Sequence, residues 1–176
     1  MNIRLALLKE HSKKQTNRIA AFIETDKQRF SELMRNFLGN EYRVTQRAAW
    51  AVSVCSTRHP ELIRPWLKRI IVNLSKPSLP DAVKRNTVRI LQFISIPPSL
   101  QGLAAEHCFR MLQSIEEPIA VKVFSMTVLL NLCKAEPGLT TEVRLLIERQ
   151  MPQASKGFVS RGSKILKELK KIRQAG

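Results

Sequence analysis

Apolar residues recur at helical spacing along most of the chain, and the stretch DAVKRNTVRILQFISIP, residues 81–97, shows the pattern clearly. Its apolar positions are Val83, Val88, Ile90, Leu91 and Ile94. Residues three and four apart share one face of a helix, so these positions form a single stripe. The other side of the same segment carries Lys84, Arg85 and Arg89. The pattern predicts an amphipathic helix whose outer side is cationic.

The same pattern occurs four times when the segments are aligned on one valine. The aligned valines are Val44, Val83, Val121 and Val159, at spacings of 39, 38 and 38 residues. The residue four positions later is always small: Ala48, Thr87, Ser125 and Ser163. Small residues let helix axes approach closely, so this column predicts a helix–helix contact. Apolar residues follow seven and eight positions after the first three valines, whereas the last repeat has Leu166 and then Lys167.

A second helix is predicted after each of the first three, and each begins at a proline. These prolines are Pro60, Pro98 and Pro137, which keep nearly the same period as the valines. Proline suits the first turn of a helix because the N–H that it lacks would have no helical partner there. Upstream, residues 13–24 and 26–38 are predicted to form an irregular pair, with Asp26 as an N-cap.

Two helices in each repeat of 38–39 residues are typical of an α-solenoid. The segments VKRNT, VKVFS and VTQRA carry the resemblance, and over residues 13–174 the chain resembles the HEAT-repeat family of the armadillo-like class. That resemblance implies an all-α, right-handed superhelix of four to five antiparallel helix pairs. We expect one domain over residues 1–176. It would contain an irregular N-terminal pair (1–39), repeats near 40–78, 79–116 and 117–154, and a C-terminal capping helix (155–176).

The composition is strongly basic, with 30 Lys and Arg against 14 Asp and Glu in 176 residues, a formal net charge of +16. Such a charge favours polyanions or acidic proteins as partners. Residues 155–176 alone carry seven cations and one acid. Because terminal helices are often solvated by lysine, the same charges also fit a surface without any binding role.

Alignment of the repeats predicts a binding patch. Equal positions of stacked repeats lie side by side, which brings together Arg47, Trp50, Arg85, Asn86 and Arg89. Guanidinium groups suit phosphates or carboxylates, and an indole suits exposed bases or a peptide anchor. The alternative is that Trp50 packs under the preceding repeat while the arginine stems cover apolar surface.

Three further cations are candidates. Arg161 occupies the position in the last repeat that corresponds to Arg85. Arg64 and Lys68 lie on a second helix, and in HEAT-like proteins the second helices usually line the concave face, so the resemblance implies that these two contribute to binding. On the same helix we expect Trp66 to be a core residue, whose replacement by alanine would cost about 3–5 kcal/mol.

The residues that carry chemistry show no catalytic or metal-binding pattern. Cys55, Cys108 and Cys133 have no metal-ligand spacing. The columns of Cys55 and Cys108 are predicted to be core, and Cys133 lies one position beyond the core column. We therefore expect no metal and no cofactor. Some HEAT-like proteins resemble alkyl-base DNA glycosylases, which use tryptophans with an acid. Here Val54 and Ile70 follow Trp50 and Trp66 by four positions, so no acid matches.

The sequence leaves several functions open. The leading hypothesis is a non-catalytic binding or scaffold module that presents a basic surface to a protein or peptide. The alternative is nucleic-acid binding through phosphates, with DNA repair as one setting. An enzyme built on the helical-repeat scaffold is a weaker third. No signal-peptide pattern and no apolar run of bilayer length occurs, so a cytoplasmic chain without a membrane span is expected.

Overall fold

A computed structural model describes the backbone of residues 1–175 and the side chains of residues 1–172. Over this range the chain is made of helices joined by short turns, without a β-strand, which confirms the all-α prediction. The residues divide into two compact units, Met1–Ser95 and Ile96–Gly176. That the whole chain acts as one repeat domain stays a prediction.

The first unit contains seven α-helices within its described residues. They are α1 (Ile3–Lys9), α2 (Lys13–Ile23), α3 (Lys27–Phe37), α4 (Tyr42–Arg58), α5 (Pro60–Ile63), α6 (Leu67–Asn73) and α7 (Asp81–Leu91). A 3-10 turn, Arg64–Trp66, joins α5 to α6. The side chains of Asn2, Ser12 and Asp26 accept hydrogen bonds from backbone N–H groups at the starts of α1, α2 and α3. The predicted Asp26 N-cap is therefore confirmed.

Helix α4 is the centre of the first unit and packs against α1, α2, α3 and α7. Its inner side is made of small and medium residues that are fully buried, among them Ala48, Ala51 and Val52. Bulkier side chains, Phe30 and Phe37 of α3, fill the rest of that core. Small residues on the central helix leave room for neighbours on several sides at once.

The second unit repeats the two-helix pattern. It contains α8 (Pro98–Gln113), α9 (Ile119–Ala135), α10 (Thr140–Gln150) and α11 (Lys156–Ala175), with 3-10 turns at Pro137–Leu139 and Met151–Gln153. Helix α9 packs against α8 and α11, and α10 packs against α11. The buried Lys122 of α9 donates to Gln150 Oε1 at 3.2 Å, and Gln150 donates to the Leu112 carbonyl at 3.0 Å. This chain of hydrogen bonds links α8, α9 and α10.

The periodic columns are buried in the first three repeats, as predicted. The valines Val44, Val83 and Val121 are at most 3% exposed, and the small residues four positions later are completely buried. The last repeat differs, because Val159 and Ser163 are only partly buried. The close approach falls instead at Gly162, where a Cβ would lie 2.9 Å from Met151 Sδ and 3.1 Å from Ile147 Cγ2.

The predictions that helices begin at Pro60 and at Pro98 are confirmed. At Pro137 the chain begins a 3-10 turn that leads into α10. The core role expected for Trp66 is wrong, since its side chain is only half-buried. Pro65 lies in the 3-10 turn, which has about three residues per turn instead of about 3.6 and so shifts the helical phase. Leu67, one position later, takes the buried place.

Candidate functional site

The predicted binding residues divide between the two units and between buried and exposed positions. The first unit holds seven of them: Arg47, Trp50, Arg64, Lys68, Arg85, Asn86 and Arg89. The remaining one, Arg161, belongs to the second unit. Exposure and hydrogen bonding decide which of these side chains can receive a partner.

Arg47 is a partly buried structural residue. Its Nη1 donates to the carbonyl of Leu7 at 2.8 Å and to that of Leu8 at 2.9 Å. These carbonyls belong to the last turn of α1, where a helix lacks internal donors and carries partial negative charge. Arg47 therefore ties α1 to α4, which removes its guanidinium from the predicted patch.

We expect Arg47→Ala to lower the free energy of unfolding by about 1.5–2 kcal/mol, because two carbonyls lose a charged donor in a partly buried place. The measurement is urea denaturation followed by circular dichroism. Arg43→Ala is the matched control, since Arg43 is an exposed arginine on the same helix. Equal costs for the two variants would show that α1 does not depend on Arg47.

Trp50 also faces α1 and α2. The His11 ring, between those helices, meets the Trp50 ring edge-on, with centroids 5.7 Å apart and planes at 81°. Edge-to-face contact is a favoured arrangement of aromatic rings. The partly buried indole therefore contacts the turn between α1 and α2, on the side where the alternative interpretation placed it.

Asn86 and Arg161 are committed to internal contacts as well. The surface position predicted for Asn86 is wrong: it is 2% exposed, and its Nδ2 donates to the Ala82 carbonyl one turn earlier, at 2.8 Å. That local bond satisfies the amide, which is why the helix can bury it. Arg161 is partly buried and donates from Nη1 to Thr127 Oγ1 at 2.8 Å, joining α11 to α9.

Arg85 and Arg89 are exposed on α7, four residues apart and therefore on one face. Lys84, beside them in the sequence, pairs with Asp81 at 3.0 Å. Of the predicted patch, these two arginines are the members whose side chains remain available to a partner.

A better-developed surface lies on the second helix of the same unit. We define this second-helix surface as Arg64, Trp66, Lys68, Arg69 and Val72. Arg64 and Lys68 are exposed, and the Arg69 guanidinium carbon lies 4.7 Å from the centre of the Trp66 ring, a cation–π contact. Val72 is 47% exposed and adds an apolar spot.

A wide groove of about 540 Å³ borders this surface. Its lining consists of Leu38, Arg69, Val72, Asn73, Ser75, Lys76 and Pro77. Lys76 crosses to donate from Nζ to the Leu38 carbonyl at 3.1 Å, which holds the α3 end against the turn after α6. The lining of the groove therefore combines the apolar Val72 with two cations, Arg69 and Lys76.

Of the three cations on this second helix, Arg64 and Lys68 were predicted to contribute to binding but Arg69 was not, and the sequence pattern did not indicate Val72. Arg69 follows Trp66 by three residues and therefore lies beside it on the helix. Val72 follows Lys68 by four residues and lies beside that lysine in the same way. This spacing was not used because Trp66 was expected to be buried. The residues beside Trp66 were therefore not counted as part of the exposed side of the helix.

The buried thiols and the buried imidazole are not poised for chemistry. Burial raises the pKa of the Cys55 and Cys108 thiols to about 12 and also raises the pKa of Cys133, so all three remain protonated at neutral pH. Burial lowers the pKa of His107, helped by Arg110, whose Nη2 lies 3.1 Å from His107 Nδ1. Within the described part of the chain, no group of side chains is arranged to hold a metal ion.

Nothing in residues 1–175 has the combined length and apolar character of a membrane-crossing helix. A family model described as HEAT repeat domain matches residues 3–169. The chain matches none of the curated proteins and none of the solved structures.

Proposed function

Because the chain belongs to the HEAT repeat domain family, we propose that it is a non-catalytic interaction scaffold that holds an acidic segment of a partner protein on its second-helix surface. Repeat proteins of this kind stack helix pairs and use the resulting extended surfaces for binding. The proposal adds a location and a partner chemistry to that general role.

Charge supports an acidic partner. Between residues 61 and 76 the chain carries Arg64, Lys68, Arg69 and Lys76 against Glu61. The Glu61 carboxylate lies 3.6 Å from His59 Nδ1. Complementary charge steers an encounter and selects against basic partners.

The Trp66–Arg69 pair is the observation that carries the proposal. Tryptophan and arginine are the residue types that most often dominate binding energy at protein interfaces. Here the guanidinium lies over the ring at 4.7 Å, so the two groups already contact each other before a partner arrives. Preorganisation of this kind reduces the entropy lost on binding.

The groove beside the pair supports a peptide in particular. Its volume of about 540 Å³ leaves room for an extended segment, and the exposed Val72 suits one apolar side chain of that segment. The cations of the lining suit the carboxylates that flank that side chain. We therefore expect partner segments in which acidic residues surround a single apolar residue.

Affinity selection from a random displayed peptide library on the wild-type chain tests the proposal. The expected outcome is enrichment of peptides with an excess of Asp and Glu around one apolar position. For the best peptide, Arg64→Glu/Lys68→Glu is expected to weaken binding by at least about tenfold, because two attractive contacts become repulsive. Fluorescence anisotropy of the labelled peptide measures this change.

Lys13→Glu/Lys14→Glu is the matched control, because it makes the same change of net charge with exposed lysines of α2. We expect that variant to lose less than about threefold in affinity, mainly from weaker long-range attraction. Enrichment of peptides without an acidic excess contradicts the proposal. Equal weakening by the two double variants also contradicts it, since only net charge would then matter.

A further inference from the structure

Helix α11 carries a row of lysines on its exposed side. We define the lysine face as Lys156, Lys164, Lys167 and Lys171, all exposed, with the exposed Ser160 between the first two. At 3.6 residues per turn these positions fall within about 80° of the helix circumference and extend over about 22 Å. Lys170 lies at the edge of the same face.

The opposite side of α11 is occupied by the protein's own core. Phe158, Ile165 and Leu169 are at most 3% exposed, and Arg161 is tied to Thr127. The helix is therefore fixed by its apolar side, and its lysines point away from that side. An amphipathic helix that inserts into a bilayer would need the apolar side to be free.

Few carboxylates lie near the lysine face to offset its positive charge. Glu168 is the one carboxylate in the α11 sequence, and its Oε1 accepts a hydrogen bond from Lys171 Nζ at 2.7 Å. That bond, the charge of Lys171 and the charge of Lys134 on α9 lower the pKa of Glu168. One carboxylate is thus surrounded by several ammonium groups, and the face keeps a positive excess.

A groove of about 450 Å³ runs beside the lysine face, between α10 and α11. Lys167, Lys170 and Arg144 contribute cations to its lining, and Thr141 contributes an exposed hydroxyl. Arg144 is paired with Glu148 at 2.7 Å, which leaves the two lysines as the charges available to an anion. The Glu148 carboxylate also lines the groove, so the cations that face a phosphate there are the lysines of α11, on one side of the recess.

We propose that the lysine face and its adjoining groove bind the phosphate backbone of double-stranded nucleic acid without reading its sequence. A duplex has one negative charge for about every 1.7 Å of its axis, so a straight row of cations about 22 Å long faces many phosphates at once. Lysine supplies compact point charges without the bidentate geometry of arginine, which suits non-specific contacts.

The chemistry of the face favours a duplex over other polyanions. It has no aromatic side chain on which unpaired bases could stack, as proteins that bind single strands usually provide. It also lacks the tryptophan, tyrosine or arginine anchor that a peptide interface commonly has. The site is separate from the second-helix surface, which belongs to the other unit and would hold a protein segment.

Fluorescence anisotropy with a labelled mixed-sequence DNA duplex tests this inference, at salt concentrations between about 50 and 200 mM. The test variant is Lys164→Gln/Lys167→Gln/Lys171→Gln, and the control is Lys13→Gln/Lys14→Gln/Arg18→Gln, which removes three exposed cations from α2. Both variants lose three charges, so they differ in location only. Circular dichroism checks that each variant keeps its helices.

We expect the wild-type chain to bind the duplex with a steep salt dependence. The α11 variant should bind the duplex at least about tenfold more weakly at low salt. The slope of log K against log salt concentration should be smaller in magnitude by about 2 to 3, because each lost phosphate contact reduces that slope by about 0.9. The α2 variant should lose less than about threefold. Replacing the duplex sequence should leave the affinity unchanged.

Three results would overturn the inference. Equal weakening by the two triple variants would assign the binding to net charge. Absence of duplex binding at low salt would remove the site altogether. Binding of the chain to phosphatidylserine vesicles that the α11 variant loses, combined with weak binding to DNA, would assign the lysine face to an anionic membrane surface.

Discussion

Phe158→Ala is expected to lower the free energy of unfolding of the second unit by about 3–5 kcal/mol. The ring is 1% exposed and lies in the first turns of α11, which packs against α9 and α10. Removing it deletes a large apolar surface and leaves a cavity that the surrounding helices close only in part. Urea denaturation monitored by circular dichroism measures the cost.

The control for this prediction is Val159→Ala, because Val159 is the next residue and is only partly buried. We expect that variant to lose less than about 1.5 kcal/mol, in the range of a small truncation without full burial. A cost under about 1 kcal/mol for Phe158→Ala would mean that α11 is held by contacts other than its apolar side. The lysine face would then lack the rigid support that the duplex proposal assumes.

Ala48→Phe is expected to cost about 3 kcal/mol, at the upper end of the usual range for overpacking. Ala48 is completely buried on α4, which packs against α1, α2, α3 and α7. A benzyl group there can be accommodated only by separating α4 from a neighbour or by forcing side chains off their rotamers. Loss of stability in urea denaturation, without loss of helix content in buffer, is the expected result.

Arg43→Phe provides the comparison, because Arg43 is exposed on the same helix and phenylalanine there meets solvent. That substitution should change stability by about 0.5 kcal/mol or less. If the two phenylalanine variants were equally stable, the column of small residues would not mark a close helix contact. The shared period of Ala48, Thr87 and Ser125 would then need another cause.

The repeat architecture could be predicted because it depends on local and periodic signals. A valine, a small residue four positions later and a proline at the next helix start each have a direct physical reason, and all three keep one period. Burial of Val44, Val83 and Val121 followed from that period. Periodic patterns average over many residues, so a few deviations do not hide them.

The binding patch was harder to predict because it depends on single side chains. Arg47 bonds to carbonyls 39 and 40 residues away, on a helix that lies outside the periodic pattern. Asn86 is polar, yet a local bond to Ala82 lets it be buried. Neither contact leaves a signal in residue type or spacing, so alignment of repeats placed both residues on a surface.

Trp66 shows how a local backbone feature can change a site. Trp66 closes the 3-10 turn around Pro65 and is only partly buried, whereas Leu67, at the start of α6, is 4% exposed. Arg69 follows Trp66 by three residues, and its guanidinium lies over the ring. The partial exposure of Trp66, which the residue pattern did not indicate, therefore decides that the indole belongs to the second-helix surface.

The central claim is that the second-helix surface receives an acidic partner segment. Nuclear magnetic resonance of the isotope-labelled chain, titrated with the best selected peptide, tests it most directly because chemical-shift changes report where the peptide lies. We predict that the largest changes fall in residues 60–76, including the Trp66 indole N–H. Changes concentrated on α11, or around Arg85 and Arg89 of α7, would contradict the assignment of this surface.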